Sequence, residues 1–532
     1  MAAKRHAKDY GTIRNGFGDD DEEILGAKHD GEIGMGEEDP IYPTNIIATG
    51  PAPITARPDI GVGEMLVGLL WVAVPTLLAN VFLFASQTIT MAFVGQRLGF
   101  HALAYFSVGV SAFNICGASI GQGIANALDT LAPQAFGRDA ETPELGELLQ
   151  RAMLVNVMIW IPISGLFLGA EPILQLIYGE RLGAGAAVFL RNAPLYLLSF
   201  YGSVVQGKIL QAQQHAHLPL VGHGTATVIC FFINYFFMQP GHSVAQAAWT
   251  LCATQVTVNV ILIGFQLFYP GVITKNARWP ISRNLCNMGA LKEYMRLGVS
   301  ALAATCAEWW AFEFLQIIAA QIGTHEVGAF TMMLNILVLY FSVSFGIATG
   351  AGTMIGNALG AGQAQIAHRY FYLTVAVSVA TTTLTAGSLF FFGMDIMAAF
   401  TKDKAVLKEI RGVIHFFALY HAGAASQTTL QGVFRGAGKQ RQAATRAVFS
   451  LWCVGLPLAA FFCLYQGMSL FGIFLGQSIG IGALVPMFLF EILRWDWNEL
   501  AEEANSKTAS GALVADFSQR MKEREMEVIG LL

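Results

Sequence analysis

The sequence predicts an all-α membrane protein with twelve transmembrane helices in two pseudo-symmetric lobes of six helices each. Three observations lead to this class. Of the 532 residues, 54% are apolar and only 13% are charged, and the mean hydropathy is +0.52, whereas a soluble domain has roughly 25% charged residues. Apolar stretches of roughly 20 residues, long enough to cross a bilayer, recur along the chain. The two halves of the chain also share matching motifs.

The predicted spans follow the apolar stretches in chain order. They are residues 66–94, 102–128, 152–168, 189–210, 218–238, 244–268, 297–322, 327–354, 370–397, 412–433, 447–464 and 470–493. Glycine-rich stretches such as 346–362 weaken the apolar signal, so periodicity alone leaves eleven to thirteen spans open. Pro75 is expected to kink the first span.

The chain divides by composition. A polar tail, predicted to be disordered, covers 1–60 and contains an acidic run at 19–23. An N-terminal lobe is expected over 61–271, a basic connection over 272–291 and a C-terminal lobe over 292–493. A second polar tail covers 494–532, with a surface helix predicted at 512–528. Residues 1–60 lack the apolar stretch of a signal peptide, so the first span is expected to direct membrane insertion.

Lys and Arg largely follow an alternating pattern, since they occur in the connections after the second, fourth, sixth and tenth spans, which predicts that both termini are cytoplasmic. The cluster at 402–411, after the ninth span, departs from this pattern. The final residues 527–532 fit an acidic dileucine sorting pattern. We therefore expect a multi-pass protein of the plasma membrane or of a vacuolar or endosomal membrane.

Several function classes are not expected. The seven cysteines lack CxxC spacing and fall mostly in apolar stretches, so we expect no metal site and no cofactor. No basic patch is interleaved with aromatic residues, which argues against nucleic acid as a partner. No HExxH, GxSxG or Walker motif is present on a loop, so we expect no enzymatic activity.

The matching motifs indicate an internal duplication. Residues 98–106 match 322–330 at an offset of 224 residues, and 134–137 match 357–360 at an offset of 223. Transporters built from repeated bundles form a central site between them. The duplication therefore favours a transporter over a receptor.

Glu308 and Glu313 are the most informative single residues, because both lie within the apolar stretch 297–322. Placing a charged residue at mid-span costs about 2.5–3.5 kcal/mol, so an intramembrane acid is a functional candidate. Removal from water favours the protonated form of a carboxyl group, and its ionised form attracts cations. A proton and a cationic solute can thus compete for one carboxylate, which is the physical basis of antiport. Five residues put the two acids roughly 140° apart around a helix, so both cannot point straight into one cavity.

Several motifs resemble the eukaryotic branch of the MATE (multidrug and toxic compound extrusion) family. They are GIANALDTLAPQAFG at 123–137, QRA at 150–152, LQAQ at 210–213, EWWAFE at 308–313, GNALGAG at 356–362 and QGVFRGAGKQ at 431–440. The resemblance implies the MATE fold, a central cavity and alternating access driven by protons, with sodium as the less favoured ion. It also implies an organic small-molecule substrate and lipid as surroundings, and we expect a monomer.

The resemblance also implies roles for residues of the C-terminal lobe. Glu308 is expected to be the main coupling group and Glu313 to support it, while Trp309, Trp310 and Phe312 are candidate aromatic walls for a cation. Two positions that are acidic in some relatives are Ala424 and Asn335 here. The remaining candidates are His421, which matches a histidine of some animal members, Gln427, and Arg435 of the span-ten motif.

In the N-terminal lobe, the span-one acid of many bacterial members is absent between residues 75 and 95, which favours coupling through the C-terminal lobe. The polar candidates left in this lobe are Asn80, Gln87 and Asn234. Asp129 and Gln134 are expected to cap a helix or to pack the lobes together.

The leading functional hypothesis is a proton-coupled antiporter that exports organic solutes such as cationic drugs or metabolites. Efflux of organic acids or secondary metabolites by the same fold is one alternative. A flippase of lipid-linked precursors is another, although such proteins usually have a strongly cationic cavity, and mid-span Lys or Arg is scarce here.

Overall fold

The computed structural model describes residues 60–140, 142–269, 272, 285 and 287–505. The predicted N-terminal tail, most of the basic connection, the surface helix at 512–528 and the dileucine pattern lie outside these residues. The regular secondary structure of the described residues is helical throughout, in agreement with the predicted all-α class.

The helices of the first half are α1 (Val62–Phe93), α2 (Phe100–Phe113), α3 (Ser119–Ala125), α4 (Leu128–Arg138), α5 (Glu144–Leu168), α6 (Glu171–Tyr178), α7 (Glu180–Arg191), α8 (Pro194–Ala212), α9 (His217–Phe237) and α10 (Ala245–Phe268). Those of the second half are α11 (Met288–Ile322), α12 (Thr324–Gly360), α13 (Ala364–Phe400), α14 (Lys404–Gly436), α15 (Gln440–Val448), α16 (Leu456–Ala460) and α17 (Ser469–Ile492). A last helix, α18, covers 497–505. Short π-helical segments continue several of these helices, at Val94–Leu98, Asn114–Ala118, Phe449–Gly455 and Phe461–Tyr465.

Within the described residues, nine continuous helical stretches are long and apolar enough to cross a membrane. They coincide with nine of the twelve predicted spans. The other three predicted spans, the fourth, seventh and tenth, correspond mainly to α8 with 19 residues, α11 with 35 and α14 with 33. These three helices are outside the set of nine. A total of twelve spans therefore stays a prediction.

The predicted fourth span, 189–210, is not one continuous helix. The helical structure is interrupted between α7 and α8, and Pro194 is the first residue of α8. Proline lacks a backbone N–H and clashes with the preceding turn, so it begins a helix more readily than it continues one. Pro75 lies inside α1, which continues from Val62 to Phe93.

Large apolar side chains cover the outside of the bundle. Phe232 and Phe236 on α9 and Phe391 on α13 are exposed. In water such surfaces would drive association, whereas in a bilayer they face a solvent as apolar as themselves. The exposed aromatic side chains therefore fit a protein whose surroundings are lipid.

The first helix of each half packs into the core of the other half. Met65 and Leu69 on α1 belong to a buried cluster with residues of α12, α13, α14 and α17. Conversely, Tyr294 and Leu297 on α11 belong to a cluster with residues of α3, α4, α5 and α8. This exchange is what a twofold relation between the halves produces.

The crossing of α4 and α12 shows the same relation residue by residue. Gly137 packs against the backbone of Asn357, and Gly360 packs against the backbone of Gln134. These four residues are the duplicated positions of the sequence. A reciprocal contact between equivalent residues arises where a symmetry axis passes through an interface, and glycine permits the two backbones to approach this closely.

We call this end of the molecule the closed end. It is formed by the starts of α1 and α11 and by the ends of α4 and α12. Arg138, Arg435 and Lys439 lie here, so it is the end with the basic connections.

Candidate functional site

Glu308 lies about 30 Å along α11 from its start, counted at 1.5 Å per residue. Asn287 caps the start of this helix. Its side chain accepts hydrogen bonds from the backbone N–H groups of Gly289 (2.9 Å) and Ala290 (3.4 Å). This cap satisfies two of the free N–H groups at the helix start. Glu308 as a whole residue is half-buried.

Two amides on α14 bind this carboxyl group. Gln431 Nε2 donates to Glu308 Oε1 at 2.6 Å, and Gln427 Nε2 donates to the same oxygen. The two glutamines are four residues apart and therefore share one face of the helix. Hydrogen bonds to a charged acceptor are about twice as strong as neutral ones, so this pair stabilises an ionised Glu308.

A cavity of about 30 Å³ lies beside Glu308. Residues of both lobes line it, including Gln122 and Asn126 from α3, Glu308 and Trp309 from α11, Gln431 and Arg435 from α14, and Gln440 from α15. A site of this size holds water or a small ion. An organic solute needs several hundred Å³, so this cavity is too small to hold one in the present conformation.

Three charged side chains meet next to this cavity. Asp129 on α4 binds Lys208 Nζ on α8 at 2.6 Å and Arg435 Nη1 on α14 at 3.4 Å. Each of the three side chains is only 13–15% exposed. Asp129 therefore forms an ion pair within the N-terminal half and a second one across the lobes.

Further polar contacts join the lobes at the closed end. Thr130 Oγ1 donates to the carbonyl oxygen of Arg435, and Gln134 Nε2 donates to that of Gly436 at 3.1 Å. These carbonyls are at the end of α14, where the regular helical hydrogen bonds stop, and that of Arg435 also accepts from the backbone N–H of Gly438 at 3.2 Å. In the other direction, Gln440 Nε2 donates to the carbonyl oxygen of Asn126 at 3.0 Å. Asp129, Gln134 and Arg435 thus lie together in the interface between the lobes.

Glu313 has different surroundings from Glu308. Its side chain is half-buried, and it has no hydrogen bond or ion pair with any residue that the structure describes. Of the aromatic candidates, only Trp309 lines the cavity beside Glu308. Trp310 Nε1 donates to the carbonyl oxygen of Ile115 at 3.3 Å, and Phe312 packs on the core of the C-terminal half, 6.3 Å from the ring of Phe341.

His421 and Asn335 do not line the cavity of Glu308. His421 is fully buried, and its Nε2 lies 2.9 Å from Thr385 Oγ1. Asn335 lines a separate cavity of about 440 Å³ near the opposite end of α12, together with Thr331, Met332 and Phe400. The structure therefore separates these two candidates from Glu308, whereas it joins Gln427 to it.

The N-terminal candidates stabilise their own half. Gln87 Nε2 donates to Tyr196 Oη at 3.1 Å, and the buried Asn234 donates to Thr90 Oγ1 at 3.1 Å. Asn80 is half-buried. None of the three lines the cavity beside Glu308.

The sequence did not single out Gln431, Lys208 or Asn126 as site residues. Gln431 stands four residues after Gln427, and this helical spacing is a signal that points to one shared face. Lys208 and Asn126 carry no such signal, because their partners are 79 and 179 residues away. Among the described residues, no group of three His, Cys, Asp or Glu side chains is placed to hold a metal ion.

Comparisons with known proteins agree on one family. A family model described as MatE matches residues 75–256 and 301–461. Multidrug and toxin extrusion protein 2 of Mus musculus is 27% identical over 439 residues, which cover 82% of this chain and 75% of the relative. Multidrug and toxin extrusion protein 1 of Homo sapiens is 26% identical over 450 residues, or 83% of this chain and 77% of the relative.

A solved structure has the same fold. The crystal structure of the eukaryotic MATE transporter AtDTX14 matches with a TM-score of 0.78 and 21% sequence identity. The match covers 84% of this chain and 100% of that chain.

Proposed function

This chain belongs to the MatE family of multidrug and toxin extrusion transporters, and from that premise we propose that it exports organic solutes, preferentially cations, in exchange for protons. The family match confirms the resemblance seen in the sequence, and the matching structure confirms the predicted all-α MATE fold, whereas the number of twelve spans stays a prediction. The relatives are transporters rather than enzymes. The coupling ion, the substrate class and the residues that bind them are our proposal.

One observation carries the proposal: Glu308 is an acid inside the membrane domain, held by two amide donors in a small cavity between the lobes. Its ionised form attracts a cation, and its protonated form does not. A proton and an organic cation therefore exclude each other at this carboxylate, and each drives the release of the other.

The surroundings of Glu308 support protons as the coupling ion. A hard cation such as sodium needs several oxygen ligands. The two glutamines direct N–H groups toward the carboxylate, and N–H groups repel a metal ion. A proton needs only the carboxylate oxygen itself.

Cationic organic solutes are the substrate class that the site supports best. Glu308 supplies the negative charge and Trp309 an aromatic face beside it, a combination that binds organic cations. Export of an organic acid is the second candidate, because Arg435 lines the same cavity and offers a positive charge.

We propose that the transporter works as a monomer by alternating access, with the closed end facing the cytoplasm. The basic residues at this end support that orientation. In the present conformation the contacts between α4 and α12 seal it, so transport requires these contacts to break.

The test is uptake into proteoliposomes of a fluorescent organic cation, with and without a pH gradient. We expect Glu308→Gln to abolish the part of transport that depends on the gradient. The matched control is Glu64→Gln, which neutralises an exposed acid in the first turn of α1 and should leave that part unchanged. The mechanism is wrong if the Glu308 variant still transports at the wild-type rate under the gradient. Gradient-driven movement of a carboxylate dye in place of the cation would favour the second candidate.

A further inference from the structure

Arg435 occupies a position between two cavities. It lines the cavity of Glu308, and it also lines a cavity of about 10 Å³ with Asp129 and Lys208. Its nearest carboxylate partner in the structure is Asp129, at 3.4 Å across the lobe interface. The guanidinium group has five N–H donors, enough to serve two acids at once.

Three of the four charged side chains of this region are shielded from bulk water, and the fourth, Glu308, is half-buried. Asp129, Lys208 and Arg435 are each 13–15% exposed, and a cavity of about 10 Å³ holds at most a single water molecule. A charge in such surroundings is costly unless an opposite charge balances it. The net charge of the group therefore affects how stable the closed end is.

The charges of this group cancel only when Glu308 is ionised. Lys208 and Arg435 are positive, and Asp129 and an ionised Glu308 are negative. A proton on Glu308 leaves one positive charge in excess, and so does an organic cation paired with Glu308.

Other neighbouring groups do not change this balance. Electrostatic neighbours of the two acids are the phenols Tyr420, for Glu308, and Tyr294, for Asp129, and phenols are ordinarily neutral near pH 7. Arg151, which interacts with Tyr294, lies beside Glu147. The remaining elements contribute uncharged groups, namely Gln122 and Asn126 on α3, Phe345 on α12 and Gln440 on α15.

We propose that Arg435 is a positioning residue that transmits the charge of Glu308 to the Asp129–Lys208 pair and thereby controls closure of the lobes. When Glu308 is ionised and binds neither a proton nor an organic cation, the four charges balance and the closed end stays closed. With a proton or an organic cation at Glu308, the excess positive charge favours opening, because water can then solvate it. This inference rests on the proposed function, and it predicts that the closed end stays closed while Glu308 binds neither a proton nor an organic cation.

Opening can be measured without any transport. Thr353 is 4% exposed and lines the cavity of Asp129 and Lys208, so a Thr353→Cys variant reports when this interface admits a thiol reagent. Thr445→Cys, at an exposed position of α15, provides the reference for the pH dependence of the reagent itself. Labelling is read by mass spectrometry at each site, which separates it from the native cysteines.

We expect the normalised labelling at residue 353 to rise about five- to tenfold from mildly alkaline to acidic pH, the lower part of the range for coupled sites. Glu308→Gln should label at the acidic level at every pH. Arg435→Gln removes the residue that links Glu308 to the Asp129–Lys208 pair. In that variant the labelling at residue 353 should no longer rise at acidic pH.

Lys208→Gln keeps this link and removes one positive charge, so the group balances only when Glu308 is protonated. In this variant the response should reverse, with more labelling at alkaline pH. The inference is overturned if either of these variants, once shown to be folded by its melting curve, keeps the wild-type direction. It is also overturned if Glu308→Gln labels at the alkaline wild-type level. Failure of the proposed function would appear elsewhere, as gradient-driven export that survives Glu308→Gln, so the two results are distinguishable.

Discussion

At the residue scale, the side-chain amides of Gln427 and Gln431 are the groups that bind the Glu308 carboxylate in this conformation. Both amides donate to one oxygen, and both come from one face of α14. A hydrogen bond to a charged group contributes about 1.5–3 kcal/mol. Glu308, the proposed coupling acid, is therefore bound to α14, the helix that also carries Arg435 at its end.

A glutamine substitution tests this link. We expect Gln431→Leu to reduce gradient-driven export by about tenfold, because the ionised carboxylate loses a donor worth on the order of 1.5 kcal/mol. The control is Gln477→Leu, which changes a buried glutamine on α17, outside the residues that line the cavity of Glu308. Initial export rates at equal protein density compare the two. Equal losses in both variants would mean that a buried glutamine matters only for packing.

Polar residues of the same type have different roles in the two halves. Asn234 and Gln87 bind other side chains of the N-terminal half, whereas Gln427 and Gln431 bind the acid. Residue type alone does not separate these cases. The difference is whether an ionisable group lies within reach, and that depends on the packing of distant helices.

At the scale of elements, the crossing of α4 and α12 holds the closed end together. Gly137 and Gly360 contact each other's helix backbone in a reciprocal arrangement. A methyl group at either position would overlap backbone atoms, which cannot move aside as a flexible side chain can.

We therefore expect Gly360→Ala to destabilise the closed end by about 1–3 kcal/mol, the usual cost of overpacking. Gly387→Ala is the control, because a methyl group at this position on α13 meets open space and alanine favours a helix by about 0.5–1 kcal/mol over glycine. Melting temperature and thiol labelling at residue 353 measure the effect. If the two alanine variants behave alike, the crossing is not a close contact in the membrane.

The breaks in the helices have local causes that the sequence only partly reveals. Pro194 begins α8, and a helix boundary could have been predicted from this proline alone. The π-helical segments, such as Asn114–Ala118, have no comparable residue signal. They insert an extra residue into a helical turn where packing requires it.

At the scale of the whole molecule, the last described helix connects both lobes. Trp497 and Leu500 on α18 are buried in the core of the C-terminal half, and Lys439 binds Glu503 at 3.0 Å. From the other half, Arg138 Nη1 donates to the carbonyl oxygen of Ala504 at 2.7 Å. The helix therefore spans the interface at the closed end.

Two truncations separate the role of α18 from that of the residues after it. Ending the chain after Arg494 removes two large buried side chains, each worth roughly 1.5–3 kcal/mol, so we expect a melting temperature lower by roughly several degrees and more labelling at residue 353. Ending the chain after Asn505 keeps α18 and should change neither value. Equal behaviour of the two truncated proteins would show that α18 does not stabilise the closed end.

The sequence by itself determined the class of the molecule and the positions of most helices, and it identified Glu308 as the leading candidate for a functional residue. These follow from local properties, because an apolar stretch must be long enough to cross the bilayer and an acid within it is costly. The motifs at 134–137 and 357–360 also indicated the duplication.

Only the tertiary structure decided which polar residues meet. The partners of Glu308 are 119 and 123 residues away along the chain, and the contact between Thr130 and Arg435 joins residues 305 positions apart. It also separated His421 and Asn335 from Glu308, although all three lie in the C-terminal half. Such contacts depend on how whole helices rotate and cross, and those angles are set by the packing of many small side chains together rather than by any single stretch of sequence.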